Sequence, residues 1–449
     1  MPKGCLILVA CGCGAVLWAC GPAHAVAAVE AAPALGLAAV RGALVRDAPE
    51  PRNAAPAPDA AGSRSAAPPR DADAPAAKDR PTMLDREQLV RWGTEALARI
   101  EQDLAQPSSA LYAEYGTPDG KRGGDFGKFS FVWPAGFQLR ALAAAARVRP
   151  REFRQRLVRF AEALDAYWTV RDGIGGYQVL PGKSERFYDD NAWMALGLIE
   201  TFEVTGQKRF LDRAGETLEF VASGEAKTPG GGIRQHEDKP GNTSVCTTAP
   251  ATVAALRLYQ IRKDRRWLDR AARWYGWLTS KEVGVQDPQD GLFDDQAGYA
   301  DGRWTVVRGK RAYNTALPMR AAVLLWRVKG EAAYLAEAQR MAAAALACWV
   351  PPSGAMHETG QWGGSDLVDA LLDLYEADRD PRWPAAVAGI LRWLHDNGRD
   401  PQGRYGEQWD EDHRTRPIEK FYLLYMAPVA RATWRAAAAR PEGAPGGKP

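Results

Sequence analysis

A helical hairpin recurs along this chain, and no other feature restricts the fold as strongly. Four segments align: NAWMALGLIETFEVTGQKRFLDRAGETLEFV from Asn191, APATVAALRLYQIRKDRRWLDRAARWYGWL from Ala249, ALPMRAAVLLWRVKGEAAYLAEAQRMAAAAL from Ala316 and DLVDALLDLYEADRDPRWPAAVAGILRWL from Asp366. Each reads as a helix, a short turn and a second helix. An aromatic residue flanks each turn (Phe210, Trp267, Tyr334 and Trp383), placed to wedge a ring between the two helices. A fifth copy starts at Ala135 with Phe153 in that role. A sixth pair closes if RPIEKFYLLYMAPVARATW near the C-terminus packs beside EQLVRWGTEALARIEQDL near Glu87. In each pair the first helix is apolar nearly all round, as burial on both sides requires, while the second carries Arg, Asp and Glu on one face, as an outer helix does. The expected fold is therefore all-α, an (α/α)6 toroid of six inner helices ringed by six outer ones. An open superhelical stack would show more uniform repeats and short loops throughout. Here the loops entering the inner helices are long and rich in Gly, Trp and Asp, so one rim is elaborated and function is expected on it.

Ahead of the repeats, MPKGCLILVACGCGAVLWACGPAHA carries a cationic Lys3, an apolar run from Cys5 to Ala19, a breaker at Pro22 and small residues at Ala23 and Ala25. That is the pattern of an export signal. The run is shorter than the ~20 apolar residues that cross a bilayer, so no integral membrane span is expected. Cleavage after Ala25 is one reading; the other takes Leu17-Trp18-Ala19-Cys20 as a lipoprotein box with Cys20 acylated. From Asp47 to Thr82 there is no Val, Ile, Leu or aromatic residue, so nothing there can offset the entropy of ordering. The expected organisation is a signal peptide (1–25), a disordered Ala/Pro-rich linker (26–82), a catalytic (α/α)6 domain (83–440) and a flexible tail (441–449). The product would be periplasmic or secreted, or lipid-anchored through Cys20, and monomeric. Four of the six cysteines lie in the first twenty residues. Export permits a Cys246–Cys348 disulfide, and two unconnected buried thiols are the equal alternative. With 58 Lys plus Arg against 55 Asp plus Glu and no dense basic run, no field gathers nucleic acid.

In a toroid six loops converge on one cleft: Phe131-Val132-Trp133-Pro134, Phe187-Tyr188-Asp189-Asp190-Asn191, Thr247-Thr248-Ala249-Pro250, Tyr313-Asn314-Thr315, Gly363-Gly364-Ser365-Asp366 and Arg416-Pro417-Ile418-Glu419-Lys420. Carboxylates, amides and aromatics dominate, and HExxH, Cys/His clusters and Gly-rich phosphate loops are missing, so no metal and no cofactor are expected. Aromatic faces stack on sugar C–H surfaces, and carboxylates and amides bond hydroxyl groups. The expected partner is a polysaccharide or oligosaccharide.

Asp189-Asp190 is the sharpest element. Capping explains an aspartate at a helix start, but this pair stands between aromatic residues and Asn191-Ala192-Trp193 at the mouth of an inner helix. Successive helical side chains diverge by ~100°, so two adjacent carboxylates can flank one bond at the ~5 Å separation of retaining glycosidases. Mutual repulsion favours one ionised and one protonated member. Around them Trp133, Trp193 and Trp362 are candidates for stacking, and Tyr188, Asn191, Tyr313 and Asn314 for substrate contact. In Asp290-Gly291-Leu292-Phe293-Asp294-Asp295 a calcium loop lacks its 12-residue spacing. A turn, or a rim loop whose Asp294 and Asp295 bond sugar hydroxyls, fits better. Asp366 is a cap or a ligand. His236, His357 and His413 fall in rim loops and would serve a lyase or epimerase.

With these residues in view, FYDDNAWMALGLIE resembles the signature of glycoside hydrolase family 76, the retaining endo-α-1,6-mannanases, whose fold is a six-hairpin α/α toroid. GGGIRQ at 230–235, DGLFDD at 290–295 and AYNTALPM at 312–319 are similar to further family segments in the same order. The resemblance implies cleavage of α-1,6-mannosidic linkages in mannan, with Asp189 as nucleophile and Asp190 as general acid/base. Three departures concern substrate contacts: Gln235 stands where the family often has an aromatic, Thr315-Ala316 replaces Gln-Gly, and Gly363-Gly364-Ser365-Asp366 occupies a Phe-Lys-Gly region. The alternatives are another α/α-toroid enzyme (polyuronate lyase, unsaturated glucuronyl hydrolase or sugar epimerase) and a non-catalytic glycan-binding protein.

Overall fold

The structure, a computed structural model, describes residues 8–11, 14–17 and 84–439, except 125, 183, 184, 228, 240, 358–360 and 415, and gives only the backbone of 361 and 362. Within the segment read as an export signal, Leu8–Cys11 and Gly14–Leu17 pair as antiparallel strands. The cleavage site, Cys20, the 26–82 linker and the 441–449 tail lie outside the described residues.

From residue 84 onward the described chain forms α1 (Arg86–Leu104), α2 (Val132–Val148), α3 (Pro150–Ala163), α4 (Tyr188–Thr205), α5 (Lys208–Ser223), α6 (Val245–Arg262), α7 (Arg265–Leu278), α8 (Ala312–Lys329), α9 (Ala332–Trp349), α10 (Gln361–Asp378), α11 (Arg382–Asn397) and α12 (Leu423–Ala438). Each even-numbered helix packs on the next, and α12 returns to α2, which closes the inner ring. The odd-numbered helices lie outside it, and α1 packs on α12, joining the two ends of the domain into the sixth hairpin.

The patterning explains which helix goes where. In α2 every residue from Val132 to Ala146 is buried, whereas α7 buries one stripe that includes Trp267, Ala271, Trp274 and Leu278. The wedge residues Trp267 and Trp383 are enclosed, and Phe153 and Phe210 nearly so. Tyr334 is half-buried and meets Tyr275 edge-on at 5.8 Å. Gly93 closes the ring: a Cβ there would stand 2.7 Å from the Trp434 indole, so only glycine lets α1 approach α12 this closely. The turns inside hairpins are one to three residues long. At the other end the loops 105–131, 164–187, 224–244, 279–311 and 398–422 carry the antiparallel hairpins Trp168–Arg171/Ile174–Tyr177 and Gln296–Ala300/Arg303–Val307. The elaborated rim is thus the end where the inner helices begin.

The lumen of the ring is charged, although the inner helices read as nearly apolar. Each sends an ionic side chain inward: Arg140, Glu200, Arg257, Arg320, Asp369 and Arg431. Asp369 accepts from Arg140 Nη2 at 2.7 Å, from Arg431 Nη2 at 2.9 Å and from Arg320 Nη1 at 3.5 Å. Glu200 takes Arg431 Nη1 at 2.6 Å and Arg257 Nη1 at 3.2 Å. Below this layer, where the inner helices end, lies a cavity of about 800 Å³ lined by seven arginines and four carboxylates. That excess of three positive charges matches the roughly half negative charge at each of six converging helix C-termini. Carboxylates pair with several of these arginines, Arg320 and Arg435 both meeting Asp373.

Candidate active site

An extended residue and four hydrogen bonds fix the start of α4. Phe187 is extended, the Tyr188 N–H donates to the Gln235 carbonyl at 2.7 Å, and Asn191 is bonded on both sides. Its Oδ1 accepts from the Tyr177 N–H at 2.7 Å, and its Nδ2 donates to the carbonyls of Tyr177 (2.9 Å) and Phe187 (2.7 Å). Asp189 and Asp190 therefore sit in the first helical turn, where unpaired N–H groups and the dipole favour negative charge.

Asp189 is 7% exposed and Asp190 half-buried. One Asp189 oxygen, Oδ1, accepts from the Asp190 N–H at 2.9 Å, so the capping reading holds for that atom. The other, Oδ2, accepts from Gln235 Nε2 at 3.0 Å and lies 3.8 Å from Cys246 Sγ. Burial pushes Asp189 up to about 6, against the pull of the Gln235 amide and the backbone N–H donors. Burial, and then the neighbouring Asp189 charge, hold Asp190 well above the usual carboxylate range.

A third carboxylate, Asp295, immediately precedes the 296–307 hairpin. The first strand of the hairpin pairs with Thr243–Ser244, and the Val245 N–H donates to the Asp295 carbonyl at 2.9 Å, which ties the hairpin to the start of α6. The Asp295 side chain accepts from Asn314 Nδ2 at 3.2 Å. Burial raises Asp295 to about 6, opposed by the Asn314 hydrogen bond and by Arg311, and repulsion from Asp189 adds to the rise. Asp189, Asp190, Gln235, Cys246, Asp295 and Asn314 thus gather at the mouths of α4, α6 and α8.

Four expected substrate contacts are committed to the scaffold instead. Tyr188 is buried against Phe220, ring centroids 4.8 Å apart, because Gly224 leaves room for its ring. Asn191 is enclosed and spends its amide on the Tyr177 and Phe187 backbone. Asp294 turns away to bind Arg308 and the Gly309 N–H. Asp366 lies in the second turn of α10, because that helix starts at Gln361, and pairs in the lumen with Arg140 at 3.2 Å. Trp133, Trp193 and Tyr313 are nearly enclosed, Trp133 and Trp193 packing on Phe137. The Trp362 side chain lies outside what is described.

Lys310 bonds both Asp287 and Asp290, so the DGLFDD loop already holds a cation of its own. Cys348 lies exposed on α9, while Cys246 is buried at the site. The histidines are occupied elsewhere. His236 Nδ1 accepts from the N–H groups of Asp238 (3.0 Å) and Lys239 (3.1 Å), and His357 and His413 are exposed. Sequence reasoning missed Gln235 as a partner of Asp189 and Cys246 as its neighbour. Gln235 sits in the 224–244 loop and Cys246 in the first turn of α6, outside the six loop segments that the sequence singled out.

The raised Asp189 pKa has a stability consequence. The folded state holds this proton more tightly than the unfolded chain, so stability is full below about pH 4 and falls as pH rises to about 6. Asp189→Asn is expected to be more stable than the parent above pH 6, by on the order of 2 kcal/mol. The gap should close below pH 4, and thermal melts across pH 3.5–8 would reveal it. A variant no more stable than the parent at pH 7.5 would contradict the burial described here.

Comparison with known proteins decides the class. The model of the family described as "Glycosyl hydrolase family 76" matches residues 99–369, more than half of the chain. The chain belongs to this family. It is a glycoside hydrolase, and the family segment runs from α1 through α10. A family 76 α-mannanase of Bacteroides thetaiotaomicron, BT2949, is similar at 28% identity over 78% of this chain and 95% of that one, with a TM-score of 0.71. The α-1,6-mannanase GH76A of Salegentibacter sp. HEL1_6 shares the fold, with a TM-score of 0.65 over 78% of this chain and 99% of its own at 21% identity. A curated relative, the meiotically up-regulated gene 191 protein of Schizosaccharomyces pombe, is 26% identical over 209 residues. That match spans 43% of this chain and 46% of the relative. Among the described residues no helix is long and apolar enough to cross a membrane.

Proposed function

We propose that this family 76 member cleaves α-1,6-mannosidic linkages in mannan by double displacement with retained configuration. The observation that carries the reading is the adjacent pair Asp189-Asp190 at the mouth of α4, with each carboxylate in its own environment. Asp189, whose two oxygens are both held by donors, attacks the anomeric carbon and forms a mannosyl ester. Asp190, kept protonated by burial and by the adjacent charge, gives its proton to the departing oxygen. In the second half-reaction Asp190 takes a proton from water, which attacks the anomeric carbon and frees Asp189. No cofactor enters these steps. Asp295, half-buried in the loop just before the 296–307 hairpin and held by the enclosed Asn314, is placed to bond a sugar hydroxyl.

Two relatives support the substrate. The B. thetaiotaomicron enzyme is an α-mannanase. The Salegentibacter enzyme is inactive when two consecutive aspartates are replaced by asparagine, and that variant holds α-1,6-mannotriose. A lyase or epimerase would need a histidine or a comparable base at the cleft, and His236 is spent on its own turn. Export through the 1–25 segment, with 26–82 as a tether for the catalytic head, belongs to the same proposal.

Linear α-1,6-mannan and a polyuronate, incubated separately with the protein, test the reading. The account expects oligosaccharides from mannan only, with α-anomers formed first by NMR. Cleavage of polyuronate alone, or β-anomers as first product, would overturn it.

A further inference from the structure

Asp189 owes half of its hydrogen-bonding to a residue outside its own helix. Gln235 sits in the loop 224–244, where its backbone is pinned twice: its carbonyl accepts from the Tyr188 N–H at 2.7 Å, and the next residue bridges to Phe187. The side chain is half-buried, and Nε2 reaches Asp189 Oδ2 at 3.0 Å. The opposite oxygen is held by the Asp190 N–H at 2.9 Å, so the carboxylate has a donor on each oxygen and is fixed about its last torsion. The other groups facing it supply no second strong donor: the Cys246 sulfur lies 3.8 Å away, and Asp190 and Asp295 are acids. Arg311 acts on Asp295.

We propose that Gln235 is the positioning residue for the nucleophile, a neutral donor that orients Asp189 Oδ2 and stays bonded to it when the other oxygen becomes an ester. This rests on Asp189 being the nucleophile. A neutral amide suits the task because the carboxylate charge disappears on glycosylation: the amide can bond an anionic oxygen and an ester carbonyl alike, whereas a cationic donor would favour the anion and resist attack. The amide also acts on protonation, since a hydrogen bond to the charged form favours that form and opposes the rise that burial imposes.

The test compares Gln235→Met, close in shape with no donor, and Gln235→Glu, which replaces the donor with an acid, using the full chain on linear α-1,6-mannan. Gln235→Met is expected to lose about 10- to 100-fold in kcat. The acid limb of its kcat/KM profile should move to higher pH by about one unit, with little change in KM. Gln235→Glu is expected to move that limb further in the same direction. An unmoved acid limb in both variants would overturn the proposal, as would a rise in KM alone, which would make Gln235 a substrate contact. Melting temperatures separate these outcomes from a folding defect, because a partly unfolded enzyme loses amplitude without shifting the limb. Asp189→Asn serves as the control: if it keeps full activity the nucleophile assignment fails, whereas if it is inactive and the limb stays put only the role of Gln235 fails.

Discussion

Asp190→Ala is expected to lower turnover of α-1,6-mannan by roughly 10²- to 10⁴-fold while leaving the first, nitrophenolate-releasing step on a 4-nitrophenyl α-1,6-mannobioside largely intact. Nitrophenolate departs without protonation, so the first step no longer needs the acid. The second step still lacks its base, and the mannosyl ester should accumulate as a burst followed by slow release. Asp189→Asn should behave differently, losing at least ~10³-fold on both substrates, because an amide neither attacks the anomeric carbon nor carries the charge that keeps Asp190 protonated. The contrast follows from the two environments: Asp189 lies deep with both oxygens held, and Asp190 lies shallower beside it. Equal losses on both substrates for the two variants would show that the roles are not divided in this way.

The second large effect belongs to the lumen. Asp369 takes hydrogen bonds from Arg140, Arg320 and Arg431, which come from α2, α8 and α12, and it is fully buried. Removing one partner of such a network leaves buried guanidinium groups uncompensated, and Asp369→Leu should destabilise the domain by about 3–5 kcal/mol in denaturant titrations. An exposed pair offers the comparison. Lys208 and Asp212 on α5 are 2.7 Å apart with side chains 80% and 44% exposed, and Lys208→Ala should cost no more than about 0.5 kcal/mol. If the two substitutions cost the same, the charged layer does not hold the ring together.

Six hairpins were legible because burial writes itself into patterning: a helix enclosed on both sides carries small apolar residues, and a ring wedged into each turn needs an aromatic at one register. The closure of the sixth hairpin from the two chain ends followed from the same logic, and α1 does pack on α12. The charged lumen was harder to read. Its members occur once or twice per inner helix, as Arg140 in α2 or Arg257 in α6, and a lone charge in an apolar helix carries no mark of which side it faces. Their alignment into one layer depends on helix starts, which sequence placed late for α6 and α10. The same error made Asp366 look like a rim residue when it lies a full turn inside α10. At the cleft, Asp189, Asp190, Asp295 and Asn314 were recognisable by type and by position at helix mouths. Tyr188 and Asn191 share that position and face elsewhere, because adjacent side chains on a helix diverge and only tertiary contact decides which one the cleft receives. Gln235 was invisible as a partner of Asp189, since it lies 46 positions further along and only the path of the 224–244 loop brings it there.

Covalent trapping tests the central claim most directly. The protein would be treated with a 2-deoxy-2-fluoro α-mannosyl donor bearing a good leaving group, then digested and mapped by mass spectrometry. The account predicts one fluoromannosyl ester, on the peptide bearing Asp189 and lost in Asp189→Asn. A hydrolysing enzyme with no adduct, or an adduct on Asp190 or Asp295, would contradict it.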